Sequence, residues 1–231
     1  MSGEPRIRVL VVDDHRLLAE ALVAALSSEP DMEVAGIASS VAEVPGHLGS
    51  RVDVVLMDYM LGDGTGADAT RIVKARQPAA AVVILTAVSD SETILETVRA
   101  GADGYLTKDR ALDDVVSAVR AAHAHEILLP RAVIMEMALR VADARQQADE
   151  VPPAEPLTPR ELEVLRLLAE GLDSATICAR LAIAPNTLRT HTQNMMSKLG
   201  THSKLETVAY ALRTGLIDPP QPLGRRAPRP G

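Results

Sequence analysis

The chain has 231 residues, of which 47% are apolar and 24% charged. That is the composition of a soluble globular protein, and at ~150 residues per domain it leaves one large or two small domains open. No apolar run approaches the ~20 residues of a membrane helix, so the expected setting is the cytosol with no membrane partner. The single Cys178 excludes a disulfide framework. With no Phe or Trp and three Tyr, modules that stack bases on aromatic side chains are disfavoured. The net charge of −7 is unevenly spread. Residues 1–124 carry 11 Lys+Arg against 19 Asp+Glu, whereas 156–231 carry 10 against 6. An acidic front and a basic back point to two domains with different partners, the back one meeting a polyanion.

In chain order, short apolar runs alternate with helical patterns up to residue 124. The runs lie at 7–12, 32–38, 52–57, 81–86 and 104–107. Several are nearly continuous in Val, Ile and Leu, as parallel strands covered on both faces should be. Between them apolar residues recur at helical spacing, as in Leu17, Leu18, Ala21, Leu22, Ala25 and Leu26. The expected fold is a doubly wound α/β domain with a five-stranded parallel sheet over 1–124. Residues 125–155 read as one further helix (126–148, with a stripe of Val133, Ile134, Met137 and Val141) and a Pro-rich linker. Residues 156–217 read as four short helices. Thr158-Pro-Arg-Glu161 and Ser203-Lys-Leu-Glu206 are capping boxes, and Asp173 caps the second helix. A tight turn at 182–184 precedes a third helix that starts at Pro185, which makes a small all-α helix-turn-helix domain. Residues 218–231 read as a Pro-rich, basic tail.

The polar residues of the front half fall at strand ends. Asp13 and Asp14 end the first strand, Asp58 the third and Thr86 the fourth, and Lys108 follows the fifth. Aspartate also favours turns, but all five groups share one edge of the sheet, where ligands of such folds sit. Three converging carboxylates repel one another unless a cation lies between them, and all-oxygen ligation suits Mg²⁺. Lys108 and Thr86 supply a point charge and a hydroxyl that suit a phosphoryl group.

Through VVDDH (11–15), VLMDYMLGDGTG (55–66), ILTA (84–87) and GYLTKD (104–109), residues 6–124 resemble a response-regulator receiver domain. The whole chain is similar to NarL/FixJ-type two-component regulators. The resemblance implies that Asp58 accepts a phosphoryl group from a sensor histidine kinase. It further implies that Asp13, Asp14, Asp58 and the Met60 carbonyl hold Mg²⁺, that Lys108 pairs with the phosphate, and that Thr86 and Tyr105 are switch residues. Phosphorylation is expected to draw Thr86 to the phosphate and turn Tyr105 inward. Gly62 stands where the family usually has Pro, which is expected to loosen the loop after the acceptor.

Residues 156–217 are similar to a LuxR-type helix-turn-helix through LTPRELEVLRLLAEGL (157–172), APNTLRTHTQNMMSKLG (184–200) and GLI (215–217). In the third helix, Leu188, Thr192, Met195 and Leu199 recur at buried-stripe spacing. Asn186, Arg189, Thr190, Gln193 and Ser197 fall on the opposite face, free for the major groove. Arg189 and Gln193 suit base reading, whereas Thr187, Lys198 and Lys204 suit phosphate. Ala184 stands where the family usually has a capping Ser, and Lys204 where it has Arg. His191 is expected to pack inward and Cys178 to be a small buried residue. The remaining histidines lack metal-ligand spacing, His123 and His125 being too few for a site. Leu205, Val208, Ala209 and Leu212 form the apolar face of the fourth helix, the family's usual dimer contact. The reading is a phosphorylation-controlled, homodimerising regulator of transcription that binds promoter DNA and works with RNA polymerase, not an enzyme. The alternatives are a DNA binder whose receiver only dimerises and a Mg²⁺-dependent phosphohydrolase.

Overall fold

The computed structural model describes residues 6–86, 91–108, 112–124, 126 and 155–218. The front half is built from β1 (Ile7–Val12), α1 (Arg16–Ser27), β2 (Met32–Ala38), α2 (Val44–His47) and β3 (Val54–Asp58). It continues through β4 (Met60–Leu61), β5 (Gly64–Thr65), α3 (Gly66–Arg76), β6 (Ala81–Thr86), α4 (Ser91–Arg99), β7 (Gly104–Thr107) and α5 (Leu112–His123). The five long strands form one parallel sheet in the order β2-β1-β3-β6-β7, as the continuous apolar runs predicted. β3 and β6 are buried along their whole length because helices cover both faces. On one face Leu10, Val12, Val55, Met57, Val82 and Ile84 pack with α3 and α4 residues. On the other, Val9, Val11, Val54, Leu56, Val83 and Leu85 pack with α1 and α5 residues.

Three details depart from the sequence reading. The third strand starts at Val54, not 52, because the Val52 N–H bonds the Gln77 side chain at 2.9 Å and leaves the ladder. The second helix is only four residues long, with Pro45 and Gly46 inside it. A two-stranded antiparallel hairpin, β4–β5, follows β3.

The back half contains α6 (Pro159–Ala169), α7 (Ser174–Leu181), α8 (Pro185–Leu199) and α9 (Lys204–Thr214). Thr158 and Glu161 form the expected reciprocal capping box, and Asp173 caps α7. The Ser203 hydroxyl caps α9, but the Glu206 carboxylate turns to the His202 N–H at 2.6 Å. Val164, Leu165, Leu168, Ile177, Leu188, Met195, Val208 and Leu212 make the helical core. The expected helix at 126–148, apart from Glu126, and the tail beyond Asp218 lie outside the described residues.

Candidate functional site

Parallel strands deliver the polar groups to one edge because all five end there. Asp13 and Asp58 are each only 2% exposed, while Asp14 beside them reaches solvent. Lys108 Nζ bridges the two buried acids, 3.0 Å from Asp13 Oδ2 and 2.7 Å from Asp58 Oδ2. Its backbone N–H bonds the Thr86 carbonyl at 2.8 Å, so the end of β6 holds the lysine over the acids. Thr86 is buried at that strand end. The Met60 N–H donates to Asp58 Oδ1 at 3.3 Å. Asp13, Asp14, Asp58 and Lys108 therefore come together, with Thr86 at the adjoining strand end.

His15 joins them, which the sequence reading missed. Its Nδ1 lies 2.8 Å from Asp14 Oδ1, 3.4 Å from Asp13 Oδ1 and 3.7 Å from Asp58 Oδ2. Ligand atoms from Asp13, Asp14, His15 and Asp58 all fall within 4.8 Å of one another. Motif spacing could not have found it, since an adjacent His turns toward its neighbours only where the chain bends from β1 into α1.

Burial pushes the Asp58 carboxyl above its ordinary range, and the Asp13 charge adds to that against the pull of Lys108. For Lys108, burial works to lower the ammonium, but the Asp58 and Asp13 carboxylates outweigh it and hold it raised. Three carboxylates facing one ammonium leave an excess of negative charge, and their oxygens are hard donors. That donor set fits a divalent cation.

The loop after Asp58, which Gly62 was expected to loosen, is hydrogen-bonded at its tip. Asp63, at the hairpin tip, accepts from the Val41 and Ala42 N–H groups at 2.8 and 3.0 Å, which clamps the loop to the turn before α2. Gly66 is required there, because a Cβ would sit 2.5 Å from the Asp58 carbonyl oxygen. Tyr105 is already turned inward at 5% exposure, so inward burial is not reserved for a phosphorylated state.

In the helical half, α8 buries Leu188, Thr192, Met195 and Leu199 and exposes Asn186, Thr187, Arg189, Thr190, Gln193 and Ser197, as its periodicity predicted. Ala184 gives α8 no side-chain cap. Four assignments need correction. Lys198 is held inside the unit, its Nζ 2.9 Å from the buried Glu161 carboxylate. Val208 and Leu212 fill the helical core and offer no surface for a dimer. His191 is only half-buried, at the margin of the stripe. Lys204 faces Asp103 and Glu126 of the α/β half, where burial lowers its pKa against their attraction.

The two halves pack together. The Ser203 hydroxyl donates to the Ala102 carbonyl at 3.0 Å, a buried contact just before β7. Leu205, 2% exposed, belongs to the core cluster of the α/β half with Ile94, Val98 and Tyr105, and Ala209 packs against it. Between the halves lies a cavity of about 490 Å³, lined by Lys74, Asp103 and His123 on one side and by Asn186, Arg189 and Gln193 on the other. Such a volume suits a small molecule, not a duplex. The expected base-reading residues therefore face the α/β half.

The response regulator receiver domain model matches residues 9–120, and the bacterial regulatory protein luxR-family model matches residues 155–211. Over 218 residues the chain is 34% identical to the transcriptional regulatory protein LiaR of Bacillus subtilis, covering 92% of this chain and 100% of LiaR. It is 31% identical over 215 residues to the DNA-binding transcriptional activator DevR/DosR of Mycobacterium tuberculosis, covering 93% and 98% of the two chains. The crystal structure of a LuxR-family two-component response regulator from Aurantimonas sp. matches with a TM-score of 0.52 at 27% identity, over 62% of this chain and 99% of that one. No helix among the described residues is long and apolar enough to cross a membrane. With an acid-lined sheet edge in front, a helix-turn-helix behind and relatives spanned end to end, the chain belongs to the NarL/LuxR-type response regulators, the DNA-binding transcription regulators of two-component systems.

Proposed function

We propose that Asp58 is the phosphoryl acceptor and that its modification opens the packed halves and frees α8 for promoter DNA. The observation that carries this reading is Lys108 bridging Asp13 and Asp58 at an acidic sheet edge. An Asp58 oxygen attacks the phosphorus of a phosphohistidine on a sensor kinase, the P–N bond breaks, and the imidazole leaves. Asp13, Asp14 and Asp58, with the Met60 carbonyl, would hold Mg²⁺, which neutralises charge on the phosphoryl oxygens. Lys108 balances the remaining charge, and the Thr86 hydroxyl is drawn to the new anion.

Closure supports the switching half of the proposal. α9 gives Leu205 and Ala209 to the core of the receiver, and Arg189 and Gln193 line the cavity beside it. A shift at β6 and β7 that loosens this packing would release both faces together. Leu205 and Ala209 would then be available to a second copy, and Asn186, Thr187, Arg189, Thr190, Gln193 and Ser197 to duplex DNA. Such a dimer on a promoter would work with RNA polymerase in the cytoplasm. The single hairpin between β3 and α3 is too short to cap a substrate, and the relatives are transcription regulators, so a regulator is favoured over a phosphohydrolase.

Acetyl phosphate with Mg²⁺ should label the protein, and Asp58→Asn should abolish labelling. Labelling that survives the substitution overturns the assignment.

A further inference from the structure

Phosphoryl transfer and release of α8 need no cavity between the halves, yet one of about 490 Å³ is built there. That volume lies in the range that holds small organic ligands, about 300–1,000 Å³. Pro78 and Ala79 on the receiver side, with Pro185 and Met196 on the helical side, give it apolar wall from both halves.

Its charged lining among the described residues is three cations, Lys74, Arg189 and Lys204, against two acids, Asp103 and Glu126. The Lys74–Asp103 pair is consumed by the fold. Lys74 Nζ lies 2.7 Å from Asp103 Oδ2 and 2.8 Å from the Ala80 carbonyl, and the same Oδ2 accepts the Val82 N–H at 2.8 Å. Arg189 and Lys204 then stand against Glu126 alone, which leaves one positive charge in excess. Burial pulls the Lys204 ammonium below its ordinary range even against the attraction of Asp103 and Glu126, so a further anion beside it would stabilise its charge. Arg189 adds a planar fork that takes a carboxylate through two parallel hydrogen bonds.

We propose that this cavity binds a small organic anion, a carboxylate on an apolar body, recognised by Arg189 and Lys204. One excess positive charge matches a monoanion, whereas a phosphate monoester would bring a second negative charge toward Glu126. Because the lining comes from both halves, the ligand binds the closed arrangement and not the open one. It therefore opposes DNA binding, a consequence that rests on the proposed function; the binding itself does not.

The test uses the full, unphosphorylated chain, with cinnamate as the probe and NMR titration of backbone amides as the readout. Binding should be saturable, with a millimolar Kd or tighter, the scale for a fragment of this size. Cinnamamide, nearly the same shape without the charge, should bind about tenfold more weakly or worse, and phenyl phosphate no more tightly than cinnamate. Arg189→Gln and Lys204→Gln should each weaken cinnamate about tenfold or more. Ala79→Trp, at an exposed position on the cavity wall, should block cinnamate while acetyl phosphate labelling stays as in the parent. At a tenfold excess over its Kd, cinnamate should weaken duplex binding about tenfold relative to an equal concentration of acetate, which matches the salt. No saturable binding, equal binding of cinnamamide, tighter binding of phenyl phosphate, or binding that none of the three variants weakens overturns the proposal. If the variants abolish binding while duplex affinity never moves, the ligand site stands and the exclusion of DNA by the closed halves falls instead.

Discussion

Leu205→Ala isolates the closure between the two halves. Leu205 lies in the receiver's cluster with Ile94, Val98 and Tyr105, and not in the core formed by α6 to α9. Its loss should therefore weaken the closed arrangement and spare the helical domain. Truncating a buried Leu costs about 2–5 kcal/mol, and the lower figure sets the minimum effect expected. About 2 kcal/mol corresponds to about a 30-fold shift toward the open arrangement. The assay is fluorescence anisotropy on a duplex enriched from a random library by the acetyl-phosphate-treated protein. Unphosphorylated Leu205→Ala should bind a single half-site of that duplex, where no dimer contact is used, about 30-fold more tightly than the unphosphorylated parent, and small-angle scattering should report a larger radius of gyration. Unchanged affinity with an unchanged radius would refute the idea that this contact holds α8 back.

The remaining predictions concern single contacts. In the helical domain, burial works to raise the Glu161 carboxyl, but Lys198 and the Thr158 N–H overcome it and hold the pKa below the ordinary glutamate range. Glu161 thus contributes stability that is present above about pH 4.5 and lost as pH falls through its lowered value. Glu161→Gln should remove about 1.5–3 kcal/mol at neutral pH and flatten the acid limb of the melting curve of that domain. Gly66→Ala should cost about 1–3 kcal/mol in thermal denaturation and slow labelling by acetyl phosphate, because the added Cβ displaces the Asp58 backbone. Arg189→Ala should cost about 1–3 kcal/mol on the enriched duplex and relax preference at one base position, as selected sequences would reveal. Saturating Mg²⁺ should raise the melting temperature by an amount equivalent to about 2.7 kcal/mol at a hundredfold excess over Kd, and Asp13→Asn should abolish the rise.

The elements that sequence rendered legible are those whose signal is local. The runs at 7–12, 32–38, 81–86 and 104–107 are strands over those same residues because covered parallel strands must be apolar throughout. The Thr158 and Asp173 caps declare their helix starts by a hydroxyl or carboxylate beside free N–H groups. The site residues Asp13, Asp14, Asp58, Thr86 and Lys108 were legible for a related reason. Once the strands are known to be parallel, their ends must share an edge.

Side-chain direction and contacts between distant segments were not legible. Lys198 looked free on the helix surface until α6 brought Glu161 within 2.9 Å. Val208 and Leu212 share a stripe with Leu205 and Ala209, yet the stripe divides between two cores when α9 lies between the halves. Composition and periodicity alone determined which segments are strands and helices and which end of the sheet is acidic, since those properties reside within a few consecutive residues. Only tertiary structure decided that His15 turns into the acids, that Asp63 braces the loop, and that Arg189 and Gln193 of α8 line a cavity against the receiver. Each of those outcomes depends on atoms far apart along the chain, whose approach is set by how whole elements pack.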